Sequence, residues 1–388
     1  MTAKTKKQPY ILIILWLLLG ACLFGLAGSS YSNLCLPQAS RGQERLSAEQ
    51  QALMAEAQHL RASLGGTVWP GWDAAPIPLI AFNESRVFLT GATEPPADGW
   101  VSVPREQQRG GAWSRVDEEI EALGQPYYRQ TLPDPQITPQ NFTVKVGEAW
   151  AASLMTKEAS DISLVDEFRQ QMPPVLRAVI PFGLAIRLFN SDWYISALLH
   201  ESFHAYQGQN APQRLYAAEF ALNNHENDYP FEDEAAWQAE LQALQDALRA
   251  KTDEEAARHA QTFLTLRAQR RAALQLTAEQ IDLERQREWL EGSAKYTELA
   301  IWQAAARDEQ YAPIAATSLL RDFQQYRGFN GRWQNEVGQI TRSAGSETLF
   351  YYSGMAQAFL LDRLAPNWKE SYFLPDIWLE ELLAGALQ

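Results

Sequence analysis

Cysteine is almost missing from this chain: Cys22 and Cys35 are the only two among 388 residues. Everything beyond Cys35 therefore has no internal disulfide, no thiolate metal ligand and no cysteine nucleophile. A region of this size can fold without covalent staples, which matter most to small cores. Basic residues are outnumbered, with 33 Lys and Arg against 47 Asp and Glu and a formal net charge of -14. Phosphate binding needs clustered cations that release counterions, so this balance argues against a nucleic-acid partner. A glycine-rich phosphate loop, a nucleophile elbow and internal repeats are also missing. Histidine is scarce as well, at five in the whole chain.

One long apolar run is present. Tyr10 to Ala27 is uncharged over about 18 residues, the lower limit for a helix that spans a bilayer, and Lys4, Lys6 and Lys7 precede it. That bias predicts a cytoplasmic N-terminus with the rest of the chain outside the cytoplasm, tethered to the membrane by a retained signal anchor. Two processed forms compete with the anchor: a cleaved secretory signal peptide, and a lipoprotein signal in which Leu19-Gly20-Ala21-Cys22 is the lipobox.

The remainder reads as an α+β chain. Residues 1–28 form the anchor or signal, and 29–75 a linker followed by a helix over Leu46 to Leu64. Residues 76–155 are β-rich, with short runs at Val87–Thr90, Trp100–Val103, Pro126–Arg129 and Phe142–Val146 between Gly, Pro and Asp. These predict a small antiparallel sheet. Residues 156–388 are mainly helical: Trp237, Leu241, Leu244 and Leu248 follow a 4-3-4 spacing, Thr252 opens an acidic first turn, and Thr277 to Gln280 is a capping box that starts a long helix towards Ala306.

Within that helical part, His200-Glu201-Ser202-Phe203-His204 has the H-E-x-x-H pattern. On a helix, residues four apart lie one above the other, so His200 and His204 can face a single metal ion. Glu201 is about 100° round the helix, where its carboxylate reaches a metal-bound water rather than the metal. Ser191-Asp192 is a helix start, and Gly208, Asn210 and Pro212 read as its stop. A catalytic zinc ion takes three protein ligands and leaves a fourth position for water, so a partner is needed. His59 and His259 read as solvated helix side chains, and His225, in a polar loop, is a weaker rival. Glu284, Glu288 and Glu291 are the acidic candidates on the helix that follows the capping box. By themselves, Glu291 and Glu298 also read as charged faces of an exposed helix.

The segment Trp289-Leu290-Glu291-Gly292-Ser293-Ala294-Lys295-Tyr296-Thr297-Glu298 resembles the one that carries the third ligand in gluzincins, the thermolysin-like zinc metallopeptidases, and especially in their aminopeptidase branch. The resemblance implies that Glu291 is the third ligand and that Glu298 orients a histidine. It also implies a zincin-like catalytic domain. In the branch pattern the Trp-Leu pair lies one residue further from the glutamate. Gly292 and Ala294 are expected to let this helix approach the H-E-x-x-H helix closely. A second match, at Phe350-Tyr351-Tyr352-Ser353-Gly354-Met355-Ala356, implies that Tyr351 donates a hydrogen bond to the oxyanion, with Tyr352 as its fallback; without the resemblance both tyrosines read as core aromatics. The interval from His204 to Glu291 is far longer than the roughly 18 residues usual in thermolysin-like enzymes, so extra helices must stand between the ligands. The segment with which the aminopeptidase branch binds a free N-terminus has no counterpart.

The expectation is a zinc-dependent peptidase with Zn²⁺ held by His200, His204 and Glu291, Glu201 as base, Tyr351 at the oxyanion, and a peptide or protein substrate. An edge strand of the β-rich region is expected to pair with that peptide. The alternative is a membrane-anchored binding or scaffold protein whose metal site is structural or inactive and whose helices around Trp237 to Leu274 engage a partner.

Overall fold

A computed structural model of the chain describes residues 8–104, 106–132, 143–183, 189–225 and 228–388. It is a mixed α+β structure. Helix α1 spans Gln8–Leu34, so the segment expected to be a linker begins as helix. Among the described residues no helix is long and apolar enough to cross a membrane. The lysines at 4, 6 and 7 that precede the apolar run lie outside the described residues. The expected spanning helix is therefore not found there.

Helix α2 (Ala48–Val68) starts where the Ser47 side chain accepts from the Gln50 backbone N–H, which satisfies one orphan donor of the first turn. Eight strands follow: β1 (Leu79–Phe82), β2 (Arg86–Thr90), β3 (Trp100–Ser102), β4 (Gln107–Arg109), β5 (Ser114–Ile120), β6 (Gln125–Thr131), β7 (Val144–Val146) and β8 (Ala149–Met155). They form one sheet in the order β4-β3-β7-β8-β1-β2-β6-β5. The sheet is larger than predicted and not wholly antiparallel, because β1 and β8 pair in parallel. Residues alternate between its faces with the strand period of two. Leu79, Ala81, Phe88, Tyr127, Ala152 and Leu154 join the main core under the helices, while Ile80, Phe82, Val87, Leu89, Tyr128 and Ala151 form a second core on the opposite face. Trp113, just before β5, meets Trp100 of β3 with ring centroids 6.4 Å apart, so the sheet curls around that second core.

The helices are α3 (Lys157–Gln171), α4 (Pro174–Val179), α5 (Ser191–Asn210), α6 (Pro212–His225), α7 (Glu234–Arg249), α8 (Asp253–Ala273), α9 (Ala278–Arg287), α10 (Ser293–Arg307), α11 (Phe329–Gln339), α12 (Thr348–Leu364) and α13 (Leu379–Ala386). Between α9 and α10 the backbone does not break but winds through a π-helical turn, Glu288–Gly292. The long helix predicted from the capping box is this α9–π–α10 run, and the Thr277 box is formed. Trp237, Leu241 and Leu244 of α7 are buried as their spacing predicts.

Candidate metal centre

Helix α5 carries the H-E-x-x-H pattern through the middle of the molecule. The Asn190 side chain caps it by accepting from Trp193 N–H, and it packs against β8, α2 and α10. Gly208 does not stop it. The helix runs through to Asn210, and a Cβ at position 208 would lie 2.5 Å from the Trp150 ring of β8, so the glycine serves a close helix-to-sheet approach. His200, Glu201 and His204 are all buried.

Glu291 reaches the two histidines from the π turn. His200 Nε2 and His204 Nε2 are 3.1 Å apart, and Glu291 Oε2 lies 3.3 Å from the first and 3.2 Å from the second. This buried group of three donor atoms can hold a metal ion. Two imidazole nitrogens and a carboxylate oxygen at such spacing need either shared protons or a cation between them. Burial disfavours the charged form of His200, but Glu291 and Glu298 outweigh it and push its pKa up to about 10. Burial also opposes ionisation of Glu291, yet His204 and Arg287 hold it well below the ordinary carboxylate range.

The far side of each histidine is held as well. His204 Nδ1 lies 2.8 Å from Gln207 Oε1, while Gln207 Nε2 donates to Trp289 O at 3.0 Å, Leu290 O at 3.1 Å and Tyr372 Oη at 2.7 Å. The carbonyls only accept, so they fix which way round the amide sits. Its oxygen must then accept from His204 Nδ1–H, which leaves the lone pair of Nε2 facing Glu291 and His200. Glu298 Oε2 stands 3.4 Å from His200 Nδ1, an ion-pair distance, though out of line for a hydrogen bond. Arg332 and Lys295, both mostly buried, pair with that carboxylate in turn.

Arg287 fixes Glu291. Its Nη2 donates to Glu291 Oε1 at 2.9 Å and to Glu347, and its Nη1 to Glu219 Oε1 at 3.3 Å. The rival acids on the same run are engaged elsewhere: Glu284 pairs with Arg270 and Arg271, and Glu288 with Arg267. His59 meets Ala312 O at the surface. His225 is the last residue of α6 rather than part of a loop, and its side chain lies outside the described residues.

A cavity of about 170 Å³ opens on the group, lined among others by Val103, Thr143, Glu201, Leu215, Glu219 and Tyr351. Glu201 Oε2 is buried without a hydrogen-bond partner. Burial and the carboxylates of Glu291, Glu298 and Glu219 raise its pKa well above the ordinary value, against the pull of His200. Tyr351 stacks on His200 at 6.2 Å between ring centroids, and its hydroxyl is raised by burial and by Glu291. Tyr352 turns instead towards Glu336, and the Lys295 ammonium sits over its ring.

Glycine makes the approach of α12 possible. A Cβ on Gly354 would stand 2.6 Å from Glu288 O, and one on Gly292 would stand 2.4 Å from the Gly354 Cα. Gly292 thus serves contact with α12 rather than the expected contact with α5, and Tyr351 arrives over the site because it lies one turn before the crossing. Gln207, Arg287 and Glu219 were not foreseen. The available signals were helical spacing alone, with Gln207 three residues after His204 and Arg287 four before Glu291. No protein-family model, curated protein or solved structure matches the chain, so the chemistry of this centre is read from its own geometry.

Proposed function

We propose that this chain is a zinc-dependent peptidase of gluzincin type, with His200, His204 and Glu291 as the ligands of Zn²⁺. The observation that carries the reading is the convergence of three donor atoms 3.1–3.3 Å apart with an unpartnered Glu201 carboxylate oxygen beside the same cavity. Ligand bonds of about 2.0–2.1 Å in a tetrahedron put donor atoms about 3.3–3.4 Å apart, close to what is observed. Two imidazoles and one carboxylate are a catalytic zinc donor set, whereas Ca²⁺ and Mg²⁺ take oxygen ligands. Basic residues followed by an apolar run, with Trp16, Leu17, Leu23 and Phe24 exposed on α1, support a membrane-tethered, extracytoplasmic location.

When bound, the ion supplies Lewis acidity, which makes water nucleophilic near neutral pH and polarises the scissile carbonyl. Glu201 takes the proton of the attacking water and passes it to the leaving nitrogen. Tyr351 directs its hydroxyl to the developing oxyanion. Gln207 keeps His204 in the tautomer that offers Nε2, and the charge of Glu298 beside Nδ1 of His200 favours the same tautomer there. Strand β4, an edge strand of the sheet beside β3, offers an edge for pairing with an extended peptide.

Metal analysis of the purified protein, with peptide hydrolysis by wild type and Glu201→Gln, tests this. The expected result is one zinc per chain in both, with hydrolysis lowered about 10²–10⁴-fold in the variant. Protein without zinc, or a variant as active as wild type, overturns it.

A further inference from the structure

The segment that leads from α1 into the body is not a free tether. Asn33, in the last turn of α1, donates from Nδ2 to Ile180 O at 2.8 Å and to Arg177 O at 3.2 Å, and its Oδ1 accepts from Phe182 N–H at 3.1 Å. This clasp holds α4 and the turn after it against the foot of α1. Further on, the Ser40 hydroxyl donates to Glu84 at 3.0 Å, Asn83 to Gly42 O at 3.1 Å and Arg41 to Glu158 at 2.8 Å. Helix α1 runs unbroken from the apolar run to Leu34, and Asn33 stands six residues beyond Ala27. At 1.5 Å per residue that is about 9 Å along the axis, against a headgroup layer about 5–8 Å deep. With the apolar run in a bilayer, the clasped segment rides at the outer edge of the headgroups. Its chemistry suits that level. Leu176 of α4 is exposed, as are Tyr31 and Leu34 at the foot of α1. The chain carries a net charge of -14, yet no acidic residue stands between Glu167 and Asp192, where Arg169, Arg177 and Arg187 are the charged residues. The Arg177 guanidinium donates to Met172 O at 2.8 Å and to Gln170 O at 2.9 Å, neutral acceptors that leave its positive charge in place.

We propose that α4, together with the last turns of α1, is a lipid-docking surface that seats the body of the protein on anionic headgroups. Leu176 enters the interface, and Arg177 turns its free donors to lipid phosphates. The acidic remainder of the surface is repelled by the same headgroups, so the body settles on this face. The clasp then fixes the height and orientation of the His200 centre above the bilayer. The inference rests on the membrane-tethered reading and adds a second contact to it.

The test uses the full chain with Cys22→Ser and Cys35→Ser, carrying an environment-sensitive fluorophore through Leu176→Cys or, as the control, through Gln261→Cys. Gln261 lies on α8, which packs against α7, α12 and α13. Both positions are exposed, so both labelled chains keep the fold. Each is reconstituted into vesicles of phosphatidylcholine and phosphatidylglycerol in equal parts, with or without lipid brominated in the upper acyl chain. Bromine should at least about halve the emission from position 176 and leave that from position 261 unchanged. In vesicles of phosphatidylcholine alone, where the attraction of charge is missing, the quenching at 176 should be weaker. A chain that floats with the vesicles but is unquenched at 176, quenched equally at both positions, or quenched equally in both lipids overturns the docking surface and leaves the tether standing. A chain that does not float with the vesicles overturns the tether and the docking surface together.

Discussion

Gln207 is the residue whose role at the centre is most open to direct measurement. Its amide is held by Trp289 O, Leu290 O and Tyr372 Oη, and through its oxygen it sets the tautomer of His204. Replacement by leucine keeps the volume and removes both functions. Gln207→Leu should weaken zinc binding about 10–100-fold, measured by competition with a chromogenic chelator, with the fold kept. Arg287→Met should act on Glu291 in the same assay and also lower the melting temperature, because it leaves three carboxylates without their shared partner. At this scale the sequence was informative where a pattern is local. His200, Glu201 and His204 declare themselves within one helical turn. Glu291 needed a resemblance, because 87 residues separate it from His204. Glu219 carries no local signal and Arg287 only its spacing from Glu291, since an acidic or basic helix residue is solvated far more often than it is buried.

At the scale of elements, the crossing of α12 over the π turn decides where Glu291 and Tyr351 stand. Gly354→Ala would drive a methyl group into Glu288 O and the Gly292 backbone, neither of which can rotate away. The expected cost is about 1–3 kcal/mol, read as a lower melting temperature, together with weaker metal binding because the displaced turn bears Glu291. Helices with caps were legible: Thr252 and Thr277 each accept from a backbone amide at the start that their type predicts. Strands set off by Gly, Pro and Asp were legible too, as at Val87–Thr90 within β2 and Pro126–Arg129 within β6. Strands β1 and β8 were not, because Leu-Ile-Ala-Phe and the alanine-rich Ala149–Met155 are buried on both faces and show no period of two. Their parallel pairing joins distant segments and leaves no mark in either.

At the scale of the whole molecule, a buried set of ion pairs ties the C-terminal helix to the back of the centre. Arg267 donates to Glu240 at 2.8 Å, to Glu288 of the π turn at 2.8 Å and to Glu380 of α13 at 3.1 Å. Arg271 and Arg285 also hold Glu380. Burial raises the pKa of Glu284 and Glu380, but Arg270 and Arg271 outweigh it for the first and Arg267 and Arg271 for the second, so both are lowered. A folded pKa below the unfolded value of about 4.3 gives stability that is present above that pH and is lost as the pH falls through it towards the folded value. The melting temperature should therefore drop steeply on acidification below about pH 4, with or without metal. Glu380→Gln should cost about 3–5 kcal/mol at neutral pH and flatten that acid dependence, both readable by thermal denaturation across a pH series.

The π turn stands between these two demands on one continuous helix. Up to its first residue, Glu284 and Glu288 must point at the arginines; from its fourth residue onward, Glu291 and Glu298 must point at the histidines. A regular α-helix has a single phase, and one residue more or less rotates everything downstream by about 100°. The wide turn absorbs that difference without breaking the rod. Deleting one residue between Glu288 and Gly292 would leave a helix of ordinary pitch whose two halves can no longer satisfy the arginines and the metal ligands together.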